Sequence, residues 1–220
     1  NILTKKQRIA AFVQLGLYLR LPDADFATLC KHAYIKNPWY SPENVERQCL
    51  ALAAMLEEES LENWLSAYPD LDSPQVVGLI LAGNIPMVGF HDILCTLLAG
   101  FSAQVKVSSD DAGLTTALIK QLCIIEPAFK GKIAVVERLE QVDLIIATGS
   151  NNSFRYFDYY FGKKPHIIRK NRNAAAVIQG STHVAFEFLR AFQRGQCCQC
   201  NQAAGFAVQP FAGPHTAPGV

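Results

Sequence analysis

Four short stretches combine a turn with groups able to bind or activate a polar ligand. The first is Leu81-Ala82-Gly83-Asn84-Ile85-Pro86, at the end of a continuous apolar run. Gly83 permits a tight turn, and Asn84 offers an amide N–H donor that can polarise a carbonyl or hold an oxyanion. The plainer alternative is a Gly-Asn turn with Pro86 opening a helix. The second is Val105-Lys106-Val107-Ser108-Ser109-Asp110. An ammonium and two hydroxyls suit a ribose or a 2′-phosphate. A surface lysine followed by a helix cap from Ser109 or Asp110 reads equally well. The third is Ala147-Thr148-Gly149-Ser150-Asn151-Asn152. Here backbone N–H groups at a helix start can face a cofactor, or simply form a cap. It is neither a Gly-x-Gly-x-x-Gly fingerprint nor a P-loop. The fourth is a basic run, Lys163, Lys164, His166, Arg169, Lys170 and Arg172. It could attract the phosphates of a nucleotide or be a solvated edge. Separately, Cys197, Cys198 and Cys200 crowd a short segment, but no second half supplies the ligands of a zinc site.

The first three stretches each follow an apolar run of strand length. Val76 to Ala82 is a continuous apolar run, the pattern of a strand buried on both faces. Ala103 to Val107, Ile133 to Val136 and Leu144 to Ala147 read as further strands, with His166 to Ile168 and Ala174 to Ile178 as two more. Helices are expected over Phe90 to Leu98, Asp111 to Leu122 and Asn152 to Phe161. This alternation predicts a parallel, doubly wound α/β sheet, whose ligands lie at the C-terminal ends of the strands.

The front of the chain has a different texture. Lys5 to Leu21 is amphipathic, with Ile9, Phe12, Val13 and Leu17 at helical spacing. Asp23 or Asp25 can cap a second helix holding Phe26, Leu29 and Cys30. Asn37-Pro38-Trp39-Tyr40-Ser41-Pro42 breaks the pattern. Ser41 then serves as N-cap, with Pro42 at the first helical position, and Val45, Cys49, Leu52 and Leu56 form the stripe of a third helix. Glu57, Glu58, Glu59 and Glu62 read as a solvated face. The expected organisation is a helical segment over 1–70, a nucleotide-binding α/β domain over 71–179, and an atypical, disordered or frameshifted tail over 180–220.

With 220 residues and half of them hydrophobic, the chain can build one sizeable core or a domain with an appendage. A net charge of +1 gives no argument for nucleic acid or an anionic membrane as partner. The apolar runs are too short to span a bilayer, and no signal peptide is visible. Cys30, Cys49, Cys95 and Cys123 stand apart in apolar settings, as reduced, buried thiols do. A cytoplasmic location is expected. The first residue is Asn rather than Met, which reads as a fragment or a processed form.

The order of these segments carries more than any one of them. Asn-x-Pro after the first strand, a small-residue helix ending Leu98-Ala99-Gly100, a strand ending in Lys-x-Ser-Ser and a later strand ending in Thr-Gly-Ser resemble the cofactor domain of the aldehyde dehydrogenase superfamily. That domain is a variant Rossmann fold without the usual glycine fingerprint. More closely, Ile80 to Pro86, Lys106 to Ser109 and Ile168-Arg169-Lys170-Asn171-Arg172-Asn173 resemble the LuxC-type acyl-CoA reductases, as does the helical front with Asn37-Pro38-Trp39. The resemblance covers about residues 1 to 178.

The resemblance implies reduction of a fatty acyl-CoA or other acyl thioester to an aldehyde with NADPH, through a cysteine acyl-enzyme, in a homo-oligomer. By position, Asn84 would be the oxyanion donor. Lys106 and Ser108 would lie near the adenosine ribose or its 2′-phosphate, and Thr148, Gly149 and Ser150 near the pyrophosphate or nicotinamide. The carboxylate expected of an aldehyde oxidant shortly after Lys163-Lys164-Pro165 is missing, since Arg169 to Asn173 stands there.

The tail departs from the family. The segment that carries the family's nucleophile, Phe-Gly-Leu-Gly-Cys-Arg-Asn-Val-Ser-Lys, is not found. Gly195-Gln196-Cys197-Cys198 resembles the nucleophile loop of ordinary aldehyde dehydrogenases over four residues, which makes Cys198 the candidate thiol. Codons for Gln199 to Ala203, read one nucleotide later, can encode Asn-Val-Thr-Lys-Leu, close to the family's Asn-Val-Ser-Lys-Leu. A frame shift between about Gly180 and Gln196 is therefore expected, and with it a chain that does not turn over by itself. The alternative is a non-catalytic nucleotide-binding or scaffold fragment.

Overall fold

In the computed structural model of the chain, residues 3–148 and 164–169 are described. Four helices come first: α1 (Lys5–Arg20), α2 (Ala24–His32), α3 (Pro42–Met55) and α4 (Glu58–Leu65). Their starts follow side-chain chemistry. Thr4 forms a capping box with Gln7, Asp23 accepts from the Phe26 amide, and Ser41 accepts from the Asn44 amide with Pro42 in the first turn. The alternation that follows is β1 (Val76–Ile80), α5 (Phe90–Leu98), β2 (Ser102–Lys106), α6 (Leu114–Ile125), β3 (Ile133–Val135), β4 (Leu144–Thr148) and β5 (His166–Arg169). The strands make one parallel sheet in the order β3-β2-β1-β4-β5. This is the expected α/β architecture with its helical front.

Several boundaries differ from the sequence reading. β1 ends at Ile80, before Leu81 and Ala82. α6 begins at Leu114 rather than Asp111, because the backbone is left-handed at Ala112 and Gly113 and a 3-10 turn precedes it. Glu58, Glu59 and Glu62 belong to a separate helix, α4, whose Leu61 and Leu65 are buried. In α1 the inward stripe is Ile9, Phe12, Leu15 and Leu19, while Leu17 faces out. The reason is that α1 is packed on several sides, against α3, α4, α5 and α6, so its buried face is broad and rotated from the stripe read in the sequence. The expected helix over Asn152 to Phe161, the strand over Ala174 to Ile178 and the tail lie outside the described residues.

One continuous core joins the helical front to the sheet. Phe12 of α1 meets Phe90 of α5 edge-on at 6.3 Å and Phe129 at 5.8 Å between ring centres. Alternation along the strands sends Val77, Leu79, Ala103 and Val105 into this core. The other face carries a smaller cluster around Val142, Ile145 and Ala147. Across it runs the crossover from β3 back to β4, residues 136–143. Gln104 holds that crossover with its amide, donating to the Glu140 carbonyl at 2.8 Å and accepting from the Glu140 amide at 2.9 Å. Leu139 and Val142 settle over Gly78, where an added Cβ would lie 2.8 Å from Leu139 Cδ1 and 3.1 Å from Val142 Cγ2. Gly78 is thus the gap in β1 through which the chain changes sides.

Gly78→Val should therefore lower stability by about 2 kcal/mol through overpacking, and Leu139→Ala in the same chain should recover part of the loss. Urea denaturation measures both. An unchanged midpoint in Gly78→Val would contradict this packing.

Candidate functional site at the C-terminal edge of the sheet

From β1 the chain winds through β2 to β3, then returns past β1 to β4. The order therefore reverses between β1 and β4, and open α/β sheets bind ligands in the crevice outside such a reversal. The loops that leave β1 and β2 lie here. So does Thr148, the last residue of β4 and half-buried. Asn84 and Lys106 are both exposed at this edge, while Ser108 is half-buried. Of the residues singled out in the sequence, Gly149, Ser150 and Cys198 fall outside the described residues, as do Cys197 and Cys200.

The first two loops touch. A Cβ on Gly83 would stand 2.6 Å from Ser108 Oγ and 3.2 Å from the Asp110 Cβ. The close approach explains glycine at 83 and brings the Asn84 loop against the loop that follows Lys106. Ser108 Oγ accepts from the Asp110 amide, so this serine, rather than Ser109 or Asp110, caps the 3-10 turn. The cap at the start of α6 comes from Asp111. Its carboxylate accepts from the Thr115 amide at 2.8 Å and from the Thr115 hydroxyl at 2.6 Å.

Two residues of the helical front reach into the same place. Asn37 is 7% exposed and Tyr40 fully buried. The Asn37 side-chain amide donates to the Gly83 carbonyl at 3.1 Å and to the Asp110 carbonyl at 3.0 Å. Its oxygen accepts from the Trp39 amide. The Tyr40 hydroxyl points at the Gly83 and Ile85 carbonyls, at 2.8 and 3.1 Å. Burial, with the Asp111 and Asp110 charges, pushes the Tyr40 phenol well above its ordinary pKa, so it stays a donor. These two residues were not singled out for chemistry in the sequence. The available signal was a polar-aromatic break, Asn37 to Tyr40, between two apolar helices.

Part of the basic run has structural duties. Lys164 donates to the Val142 carbonyl at 2.6 Å. Arg169, at the end of β5, pairs at 2.5 Å with Asp92, a buried carboxylate in the first turn of α5. That acidic side chain also suits the positive end of the helix. Lys163, Lys170 and Arg172 lie outside the described residues.

The donor set fits a dinucleotide in chemical type. An exposed ammonium belongs to the last residue of β2, a hydroxyl follows two residues later, and an exposed amide lies beyond β1. Among the described residues no group of three His, Cys, Asp or Glu side chains is placed to hold a metal ion, and no helix is long and apolar enough to cross a membrane.

Residues 32–164 match the family described as Acyl-CoA reductase (LuxC). A search of curated proteins found no match. Fourteen solved chains match in structure. One of them is a NAD-dependent benzaldehyde dehydrogenase from Corynebacterium glutamicum, with a TM-score of 0.57 and 15% identity. The match covers 74% of this chain and 41% of that one, so the chain spans less than half of the dehydrogenase. At this identity the likeness establishes the aldehyde-dehydrogenase-like fold.

The buried cap of α6 gives a pH signature. Burial raises the Asp111 carboxyl pKa, against the lowering effect of its Thr115 hydrogen bonds. The folded state therefore favours protonated Asp111. Its contribution to stability is complete below the unfolded value of about 3.9 and is lost as pH rises through the higher folded value. Relative to Asp111→Asn, the wild-type Tm should fall as pH rises above about 4. Parallel Tm curves would contradict the raised pKa.

Proposed function

Because the chain belongs to the LuxC family of acyl-CoA reductases, we propose that its C-terminal sheet edge binds NADPH for the reduction of a fatty acyl-CoA or related acyl thioester to an aldehyde. The observation that carries this reading is the meeting of the Asn84 loop, which leaves β1 beside the reversal of strand order, with the Ser108 loop that leaves the neighbouring β2. Lys106 and Ser108 would take the adenosine ribose and its 2′-phosphate, the ammonium as a point charge and the hydroxyl as a hydrogen-bond partner. Thr148, Gly149 and Ser150 would face the pyrophosphate or nicotinamide. When bound, the nucleotide supplies the hydride.

The remaining chemistry belongs to side chains. A thiolate, for which Cys198 is the candidate, attacks the thioester carbonyl, and coenzyme A leaves as its thiol or thiolate. The Asn84 amide N–H stabilises the oxygen of the tetrahedral intermediate, where negative charge develops. The proposed acyl-enzyme would then be reduced to the aldehyde, freeing the thiolate. Arg169 at the end of β5, paired with Asp92, is unsuited to the deprotonation of water that aldehyde oxidation would need. This favours reduction. A cytoplasmic setting and assembly into a homo-oligomer go with the same reading.

Titration with NADPH and NADH tests it. Lys106→Ala should weaken NADPH about tenfold, the ratio set by one charge-assisted contact, and leave NADH nearly unchanged. Equal losses for both nucleotides would remove Lys106 from 2′-phosphate recognition. NADPH consumption with a long-chain acyl-CoA gives the second readout. We expect the chain alone not to turn over; turnover abolished in Cys198→Ser alone would overturn that expectation and make Cys198 the nucleophile. Nucleotide binding without turnover in any form that includes the nucleophile would favour a non-catalytic binding module.

A further inference from the structure

The Asn37 and Tyr40 contacts are unusual in what they hold. Both side chains are buried and spend their donors on backbone carbonyls, Tyr40 on the loop that carries Asn84 and Asn37 on that loop and the one that carries Ser108. Asn37 uses its two amide N–H groups on different loops, one on Gly83 and one on Asp110. It is therefore a bridge across them. Tyr40 shares one hydroxyl proton between the Gly83 and Ile85 carbonyls.

We propose that Asn37 and Tyr40 are positioning residues: Asn37 ties the oxyanion-donor loop to the nucleotide loop, Tyr40 fixes the oxyanion-donor loop itself, and the helical front thereby sets the geometry of the site. The proposal rests on the nucleotide-binding reading of this edge. The physical argument is local. A trans peptide is planar, with its carbonyl and N–H pointing in opposite directions, and no cis bond occurs among the described residues. Holding the Gly83 carbonyl inward therefore directs the Asn84 N–H away from the clamp and fixes the backbone from which the Asn84 side chain departs. Holding the Asp110 carbonyl does the same for the turn that Ser108 caps. Both bonds to the Gly83 carbonyl are buried, so loss of either donor leaves that acceptor one partner short where water does not replace it.

The chemistry at 37 is specific. Aspartate is nearly isosteric with asparagine but would present oxygen to two carbonyl oxygens. At 40, phenylalanine keeps the ring and removes only the shared donor.

The test compares Asn37→Asp and Tyr40→Phe with Val45→Ala, a buried apolar change in the same helical front that removes no hydrogen bond to either loop. All are compared with the wild type well below their Tm values. Two amides report on the clamp: Val88, which donates to the Ile85 carbonyl, and Asp111, which donates to the Ser108 carbonyl. In Asn37→Asp hydrogen exchange at both amides should quicken about tenfold, in Tyr40→Phe exchange at Val88 should do so, and in both variants the NADPH Kd should rise by about the same factor. Val45→Ala should leave both readouts within about twofold of the wild type. Tyr40→Phe keeps the test open should Asn37→Asp fail to fold. Unchanged exchange in Tyr40→Phe, with NADPH bound as in the wild type, would overturn the clamp alone. Equal effects in Val45→Ala would reduce it to general destabilisation. No NADPH binding by the wild type would sink the nucleotide reading and the positioning role with it.

Discussion

The Gly83 carbonyl is the point at which the helical front takes hold of the sheet edge that carries Asn84. It leaves the first strand, turns inward and accepts from two side chains that lie more than forty residues earlier in the chain. A buried carbonyl must be paired, and a glycine is required beside it because Ser108 leaves no room for a Cβ. Those two conditions together decide where Asn84 sits. Everything proposed for the site depends on that placement, because an oxyanion donor acts through its position before the charge appears.

The rest of the architecture serves this edge. The strand order creates the crevice, and the Phe12 cluster ties the helical front to α5 and the turn before β3. Gly78 lets the β3–β4 crossover pass over the sheet without lifting from it. The Arg169–Asp92 pair anchors the end of the outer strand to the start of α5. The side chain of Asp92 is almost fully buried, so removing its partner would leave a charge without compensation, the costly way to break such a pair.

Much of this was legible in the sequence because its causes are local. Continuous apolar runs identify strands buried on both faces, and Ser41-Pro42 marks a helix start from two adjacent residues. Gly83-Asn84 and Lys106 could be assigned to strand ends for the same reason. What escaped depends on distant partners. Asn37 and Tyr40 look like a simple helix break until the fold brings Gly83 and Asp110 to them. Leu17 matched the helical period, yet the outward face of α1 was decided by packing from several sides. The start of α6 moved because a left-handed backbone at Ala112 ended the preceding turn, a feature without an apolar pattern. The family match supports the order of motifs read from the front of the chain, and Cys198 rests on four residues of likeness alone.

The central claim is that the two loops clamped at Gly83 and Asp110 form the nucleotide site. The most direct measurement is amide chemical-shift mapping of the chain during titration with NADPH. The account predicts shifts concentrated at Gly83 to Ile85, Lys106 to Asp110 and Thr148. Shifts concentrated instead at the opposite edge of the sheet, around Trp64, Tyr68 and Phe101, would contradict it.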